Sequence, residues 1–117
     1  IVHTDFTEPG GVDGMRRLLD MPVPPDAVVC GNDAIAFGVL NLLRAETALA
    51  VPRDIAVTGF DDTAPAAWPL IGLTTVASPL DRRIAAICDL LDRRVADPSA
   101  PAQRIRIEPH LVVRATS

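Results

Sequence analysis

The stretch Asp26 to Leu43, DAVVCGNDAIAFGVLNLL, predicts a buried strand that runs directly into a helix. Its first part, Ala27 to Cys30, is a short unbroken apolar run of the kind found in strands covered on both faces. From Ile35 to Leu43 the apolar residues recur at a spacing near three and a half, which is typical of an amphipathic helix. Between the two parts, either Asn32 or Asp33 is placed to cap that helix.

The same order of a strand, a glycine and polar side chains recurs along the chain. Ile55 to Thr58 predicts a second apolar strand, and a glycine, Asp61 and Asp62 follow it. Residues 1–4 predict the tail of an earlier strand, which ends near Asp5. Because the carboxyl ends of parallel strands lie at one edge of a sheet, these polar residues are expected to line the edge where open α/β sheets bind ligands.

The remaining segments complete an α/β pattern. Thr7 or Glu8 can cap a first helix, whose three glycines make it a poor helix former that packing must hold in place. Residues 73–76 form a β-branched segment, residues 80–95 an amphipathic third helix, and residues 104–107 alternate as a half-exposed strand does. We therefore predict a doubly wound α/β fold with a mostly parallel sheet.

Length and composition limit the possible functions. The 117 residues suffice for one domain, and 49% hydrophobic but only 3% aromatic residues predict an aliphatic core. The net charge is −4 and all 11 basic residues are arginine, so lysine chemistry is excluded. The arginines form no basic stripe, and we expect them to make no direct contact with DNA. No apolar run is long enough to span a membrane, so a soluble, cytoplasmic chain is expected.

The sequence contains no convincing catalytic or metal-binding pattern. Asp61 and Asp62 are adjacent, but neighbouring side chains usually point in different directions, and aspartate after a strand is more often a turn former. Ser78 lies in no nucleophile elbow. The histidines and cysteines lack ligand spacing, and both cysteines are expected to be reduced and buried; they are His3, His110, Cys30 and Cys88. We expect no enzyme, no catalytic residue, no metal and no cofactor.

Binding of a small molecule is better supported by the residues. A carboxylate such as Asp61 can accept two hydroxyl hydrogen bonds from one polyol, and Asn32 can both donate and accept. The ring of Phe6 can cover the apolar face of a sugar or a nucleobase. Each residue also has a structural alternative: Phe6 in the core, Asn32 as a helix cap and Asp61 in a turn. Their convergence at successive strand ends favours binding.

Five segments occur in a characteristic order along essentially the whole chain. They are DFT at residues 5–7, PDAVVCGNDAIAFGVL at 25–40, VPRDIAVTGFDD at 51–62, LTTVASPL at 73–80 and HLVVRATS at 110–117. In this order and spacing they resemble the carboxyl-terminal part of the lactose-repressor-type transcriptional regulators, the family that includes the purine and galactose repressors.

The resemblance implies a fragment, residues 1–117, of one effector-binding domain of the periplasmic-binding-protein type, which has two doubly wound lobes. Residues 1–78 and 104–117 correspond mainly to the second lobe, and residues 79–96 to a helix that crosses to the first. It further implies that the helix-turn-helix, the hinge and most of the first lobe lie outside this sequence.

The resemblance also implies roles for individual residues. Phe6 corresponds to an aromatic residue that covers the effector, and Asn32 to an asparagine that hydrogen-bonds it. Asp61 corresponds to the aspartate that takes the effector's hydroxyls or ring nitrogens, and Ser78 falls where a polar residue can face the effector.

The implied assembly is a homodimer, with Phe37 and Trp68 at its interface. The function expected on this basis is effector binding, most simply of a sugar or related metabolite, and dimerisation within a cytoplasmic repressor. That repressor would contact DNA only through its helix-turn-helix. The alternative is an extracytoplasmic sugar-binding protein that serves a transporter and shares the fold. An upstream helix-turn-helix would favour the first, and an upstream signal peptide the second.

Overall fold

A computed structural model describes all 117 residues. It confirms an α/β fold whose four-stranded sheet has the order β1-β2-β3-β4, with β1 parallel to β2 and β2 parallel to β3. The elements are α1 (Glu8–Leu19), β1 (Ala27–Val29), α2 (Asp33–Glu46), β2 (Ala56–Asp61), a single 3-10 turn (Ala64–Ala67), β3 (Thr74–Ala77), α3 (Leu80–Ala96) and β4 (His110–Val112).

The chain divides into two compact units. The first comprises residues 1–77 and 111–117, and the second comprises residues 78–110. The first unit holds α1, α2, β1, β2, β3 and the hydrophobic core, whereas α3 in the second unit has no buried residue. No helix of the chain has both the length and the apolar character needed to cross a membrane.

The core of the first unit is aliphatic, and it depends on a close approach between α1 and α2. A Cβ atom at Gly11 would overlap the carbonyl oxygen of Ile35, and one at Gly38 would overlap that of Glu8. The glycines that lower helix propensity are therefore needed for helix packing, as the poor propensity of α1 suggested. The largest fully buried apolar side chains are Met15, Leu43, Ile55, Val57 and Leu73.

A buried threonine near the carboxyl terminus joins β2 to β3. The Thr116 hydroxyl donates to the Val57 carbonyl oxygen at 2.7 Å and accepts the backbone N–H of Thr74 at 2.9 Å. The Val57 N–H in turn donates to the Thr116 carbonyl oxygen at 2.8 Å. Thr116, in the HLVVRATS segment, therefore links the amino-terminal parts of β2 and β3 by hydrogen bonds.

Several predictions about strands were wrong. Residues 1–4 and 104–107 form no strand, and Cys30 lies just beyond β1. β1 is not covered on both faces, since Val29 on this edge strand is 85% exposed. An extended segment becomes a strand only when a neighbouring backbone pairs with it, and residues 1–4 and 104–107 have no such partner. Cys88 is exposed rather than buried because it lies on α3.

Candidate functional site

The parallel register brings the predicted polar loops to one edge of the sheet. Val29 of β1 lies opposite Thr58 of β2. Asn32 follows Val29 by three residues, as Asp61 follows Thr58. Asp61 is the last residue of β2 and Asn32 lies just beyond β1, so both residues stand at the carboxyl edge of the sheet, where ligands bind in α/β sheets.

Asn32 links this edge to the segment before α1. Its Oδ1 accepts the backbone N–H of Ile35 at 2.9 Å, so Asn32 rather than Asp33 caps α2. Its Nδ2 donates to the Phe6 carbonyl oxygen at 3.3 Å. A primary amide has two N–H groups and two acceptor lone pairs, so one of each remains free for a ligand.

Phe6 is not a core residue. Its side chain is 70% exposed. Its ring lies beside Gly31, where an added Cβ atom would sit 3.5 Å from the Phe6 Cε1. The ring therefore forms an apolar surface next to Asn32, at the same edge of the sheet.

Asp33 is an internal carboxylate that connects three parts of this edge. It is fully buried, and its Oδ1 accepts the Thr75 hydroxyl at 2.6 Å. Its Oδ2 accepts the Thr63 N–H at 2.7 Å and the Thr63 hydroxyl at 3.0 Å. The carboxylate also lies in the first turn of α2, where the helix dipole favours negative charge. Asp33 thus ties α2 to β3 and to the loop after β2. The three hydrogen bonds that its carboxylate accepts all come from within the protein.

Asp61 and Asp62 have different surroundings although they are adjacent. Both have positive φ angles, 121° for Asp61 and 53° for Asp62. Asp62 forms an ion pair of 2.6 Å with Arg114, whereas the exposed Asp61 carboxylate forms no hydrogen bond or ion pair. A residue other than glycine at such a φ angle costs about 1–3 kcal/mol, and such strain tends to concentrate at functional sites.

Arg114 is a residue that the sequence analysis did not single out. Its guanidinium donates to the Asp62 carboxylate at 2.6 Å and to the Leu73 carbonyl oxygen at 2.8 Å. Its backbone N–H donates to the Thr74 hydroxyl oxygen at 2.8 Å. The only sequence signal was its place in the HLVVRATS segment, which gave no indication of its partner.

Cys30 lies at the same edge but has no nucleophilic character. Burial, helped by the negative charge of Asp33, raises the pKa of the Cys30 thiol to about 12. The thiol therefore stays protonated at neutral pH. The chain has no group of three or more histidine, cysteine or acidic side chains placed to hold a metal ion.

The other predicted residues lie away from this edge or in the second unit. Phe37 is half-buried on α2, where it lines a shallow groove of about 330 Å³ that also includes Arg44 and Ile71. Trp68 is 57% exposed at the end of the 3-10 turn. Ser78 is the first residue of the second unit. The structure joins Asn32 to Phe6 by a hydrogen bond and places Asp61 at the same edge of the sheet, next to the Asp62–Arg114 ion pair.

The arrangement defines an α/β lobe whose polar loops gather at the carboxyl edge of a parallel sheet. Residues 2–117 match the family model described as the periplasmic binding protein-like domain. The chain therefore belongs to the family of periplasmic binding protein-like domains, in the form found in LacI-type transcriptional regulators.

Several known proteins are similar to the chain. The ribose operon repressor of Escherichia coli (strain K12) is 41% identical over 116 residues, which are 99% of this chain and 35% of that protein. The structure of a LacI transcriptional regulator from a Rhodococcus species has a TM-score of 0.86 at 40% identity and covers 95% of this chain and 40% of that one. A complex of the transcriptional regulator CelR with cellobiose has a TM-score of 0.89 at 34% identity, with 97% and 35% coverage.

These relatives are transcriptional regulators rather than enzymes. The chain spans 35% of the length of the ribose operon repressor that it matches.

Proposed function

We propose that this chain is the effector-binding and dimerisation portion of a longer, cytoplasmic DNA-binding repressor. Residues 1–78 and 104–117 would form most of one lobe, and residues 79–96 would cross to another. The relatives named above support this proposal because nearly the whole chain aligns with regulators of about three times its length. The chain carries a net charge of −4, so DNA contact is assigned to a helix-turn-helix outside this sequence.

The effector that we propose is a sugar or a related polyhydroxy metabolite. The observation that carries this proposal is the Asp61 carboxylate, which is exposed, unpaired and held at a positive φ angle. A free carboxylate accepts paired hydroxyl groups, the spare amide groups of Asn32 supplement it, and the exposed Phe6 ring covers an apolar sugar face. Ser78 is proposed as a further polar contact. The cellobiose complex of CelR, at 34% identity, supports a sugar as the class of ligand.

The alternative of an extracytoplasmic sugar-binding protein shares the same fold. The relatives reported above favour a repressor, since they are regulators of transcription. The sequence upstream of this chain in its gene discriminates the two: a helix-turn-helix supports the repressor, and a signal peptide supports the transporter component.

A thermal-shift screen of the full-length regulator tests the proposed effector and the role of Asp61 together. The panel contains D-ribose, cellobiose, other sugars, polyols and purines. A ligand at 100 times its dissociation constant adds about 2.7 kcal/mol to the free energy of unfolding, which raises the melting temperature. Asp61→Ala is expected to weaken binding of the active sugar by about 100-fold, because two charge-assisted hydrogen bonds are lost.

The control is Asp13→Ala, which removes another exposed carboxylate, on α1, and is expected to leave binding unchanged. Normal sugar binding by Asp61→Ala would remove Asp61 from the site. A folded protein that responds to no sugar, polyol or purine would contradict the proposed effector class.

We further propose that Phe37 and Trp68 lie at the interface of a homodimer. Trp68 and Leu70 are 57% and 88% exposed, and Phe37 lies half-buried on α2. The Arg44 guanidinium donates to the Leu70 and Ile71 carbonyl oxygens at 2.6 and 3.2 Å, which joins α2 to the loop that carries Leu70. Adjacent exposed apolar side chains of this kind mark interaction surfaces.

Trp68→Glu is expected to weaken the dimer at least about tenfold, because a charge would be buried at the interface in place of an aromatic anchor. Sedimentation equilibrium of the full-length regulator measures the dimerisation constant. Met21→Glu, at an exposed apolar residue beyond α1, is the matched control. A Trp68→Glu variant that dimerises as tightly as the control would place the interface elsewhere.

A further inference from the structure

The end of β2, which carries Asp61, runs into a loop that is anchored to the rest of the first unit at two points. On one side, the buried Asp33 carboxylate accepts both the N–H and the hydroxyl of Thr63. On the other side, Arg114 pairs with the carboxylate of Asp62. Asp62 itself and the preceding Asp61 adopt positive φ angles that non-glycine residues rarely adopt.

We propose that Arg114 is a positioning residue for effector binding, which acts through Asp62 to hold the Asp61 carboxylate toward the effector. This inference rests on the proposed function of Asp61. Both hydrogen bonds that the Arg114 guanidinium donates go to atoms of the protein, the Asp62 carboxylate and the Leu73 carbonyl oxygen, so we assign its contribution to the shape of the loop rather than to the effector.

The geometry of the guanidinium explains why arginine suits this position. One terminal nitrogen donates to Asp62 and the other to the carbonyl oxygen of Leu73, the residue just before β3. The planar group therefore fixes the direction of the Asp62 side chain against a rigid part of the sheet. The side chains of Arg114 and Asp62 are only 20% and 26% exposed, so solvent screens this pair less than a surface ion pair.

Loss of this anchor removes the side-chain contact that holds Asp62, so that the pairing of Asp61 with Ala77 of β3 is left to oppose the strain at these two residues. Asp61 and Asp62 can then relax toward negative φ angles, and the binding-competent loop becomes a fraction of the population. The apparent dissociation constant rises in inverse proportion to that fraction, so a competent population of one tenth weakens binding about tenfold.

The fold itself does not depend on the Arg114 side chain. The backbone N–H of residue 114 still reaches the Thr74 hydroxyl, and Thr116 still joins β2 to β3. Asp33 still holds Thr63. A variant of the Arg114 side chain is therefore expected to fold.

The test compares Arg114→Gln with the parent in the full-length regulator, with two measurements. Amide hydrogen exchange of residues 61 and 62 without ligand is expected to accelerate about tenfold. Calorimetric titration with D-ribose and with cellobiose is expected to show about tenfold weaker binding of whichever sugar the parent binds. Arg114→Lys keeps the positive charge but lacks the planar guanidinium. Its affinity for the sugar is expected to lie between that of the parent and that of Arg114→Gln.

Two further variants separate positioning from a general loss of stability. Arg16→Gln breaks the exposed Arg16–Glu46 ion pair of 2.8 Å between α1 and α2 and is expected to change neither measurement. In an Asp61→Asn background, Arg114→Gln is expected to cause no additional loss of affinity, because the residue through which it acts is already impaired.

Unchanged exchange at residues 61 and 62 in Arg114→Gln would overturn the inference, whether or not either sugar binds. Unchanged sugar affinity with accelerated exchange would also overturn it. If Asp61→Ala binds sugar normally, the proposed site itself fails. If Asp61→Ala loses binding but Arg114→Gln does not, only the role of Arg114 fails.

Discussion

Asp33→Ala is expected to lower the free energy of unfolding by about 4 kcal/mol, because it removes a buried carboxylate that accepts three hydrogen bonds. The Thr75 hydroxyl would be left in a fully buried position and the Thr63 N–H in a partly buried one, both without their acceptor. Each buried donor without a partner costs about 1–3 kcal/mol, and the lost charge-assisted bonds add to that cost. Urea unfolding followed by circular dichroism measures the change.

Asp13→Ala provides the matched control for stability, since Asp13 is an exposed aspartate on α1 whose nearest cation, Arg16, lies 3.8 Å away. The expected loss there is about 0.5 kcal/mol or less, because exposed ion pairs contribute little. An Asp33→Ala variant as stable as Asp13→Ala would show that the Asp33 network does not hold the edge of the sheet together.

The Asp33 network also shows what the sequence could not provide. The local pattern correctly located a polar pair between a strand and a helix, but it left open which member caps the helix. Asn32 is the cap, and Asp33 turns inward to partners that are 30 and 42 residues away along the chain. Hydrophobic periodicity reports on local structure, so contacts at such separations leave no signal in it.

The two adjacent aspartates after β2 illustrate the same limit. Their residue type and position predicted polar groups at a strand end, and the general tendency of neighbours to diverge was confirmed. Which one is free depends on Arg114, which lies 52 residues beyond Asp62. The sequence therefore predicted polar residues at the ends of the strands, but not which of them pairs with another side chain.

The incorrectly predicted strands have a different cause. Residues 1–4 and 104–107 both have patterns suited to a strand, but a strand exists only as part of a hydrogen-bonded pair. The parallel segments that were confirmed, β1, β2 and β3, are those that have partners within the first unit. A pattern of side chains can predict that a segment is suited to pairing, and the rest of the fold decides whether it pairs.

Gly38→Ala is expected to destabilise the protein by about 3 kcal/mol, although alanine is the better helix former. In an open helical position this substitution would gain about 1 kcal/mol from propensity. Here the new methyl group would overlap the carbonyl oxygen of Glu8 and approach the backbone N of Val12 to 3.0 Å. Both atoms belong to the main chain of α1, so no change of side-chain rotamer can relieve the overlap, and the two helices must separate.

Gly31→Ala is the matched control, because a Cβ atom at that position would meet only ordinary contacts, 3.5 Å from Phe6 and 3.9 Å from Ile35. It is expected to be neutral or to stabilise by up to about 1 kcal/mol, since alanine restricts the unfolded chain more than glycine does. The midpoints of thermal and urea unfolding, compared with those of the parent, should therefore shift in opposite directions for the two variants or by very different amounts. Equal stability of Gly38→Ala and Gly31→Ala would mean that α1 and α2 can separate at little cost, and that Gly38 is not required for their packing.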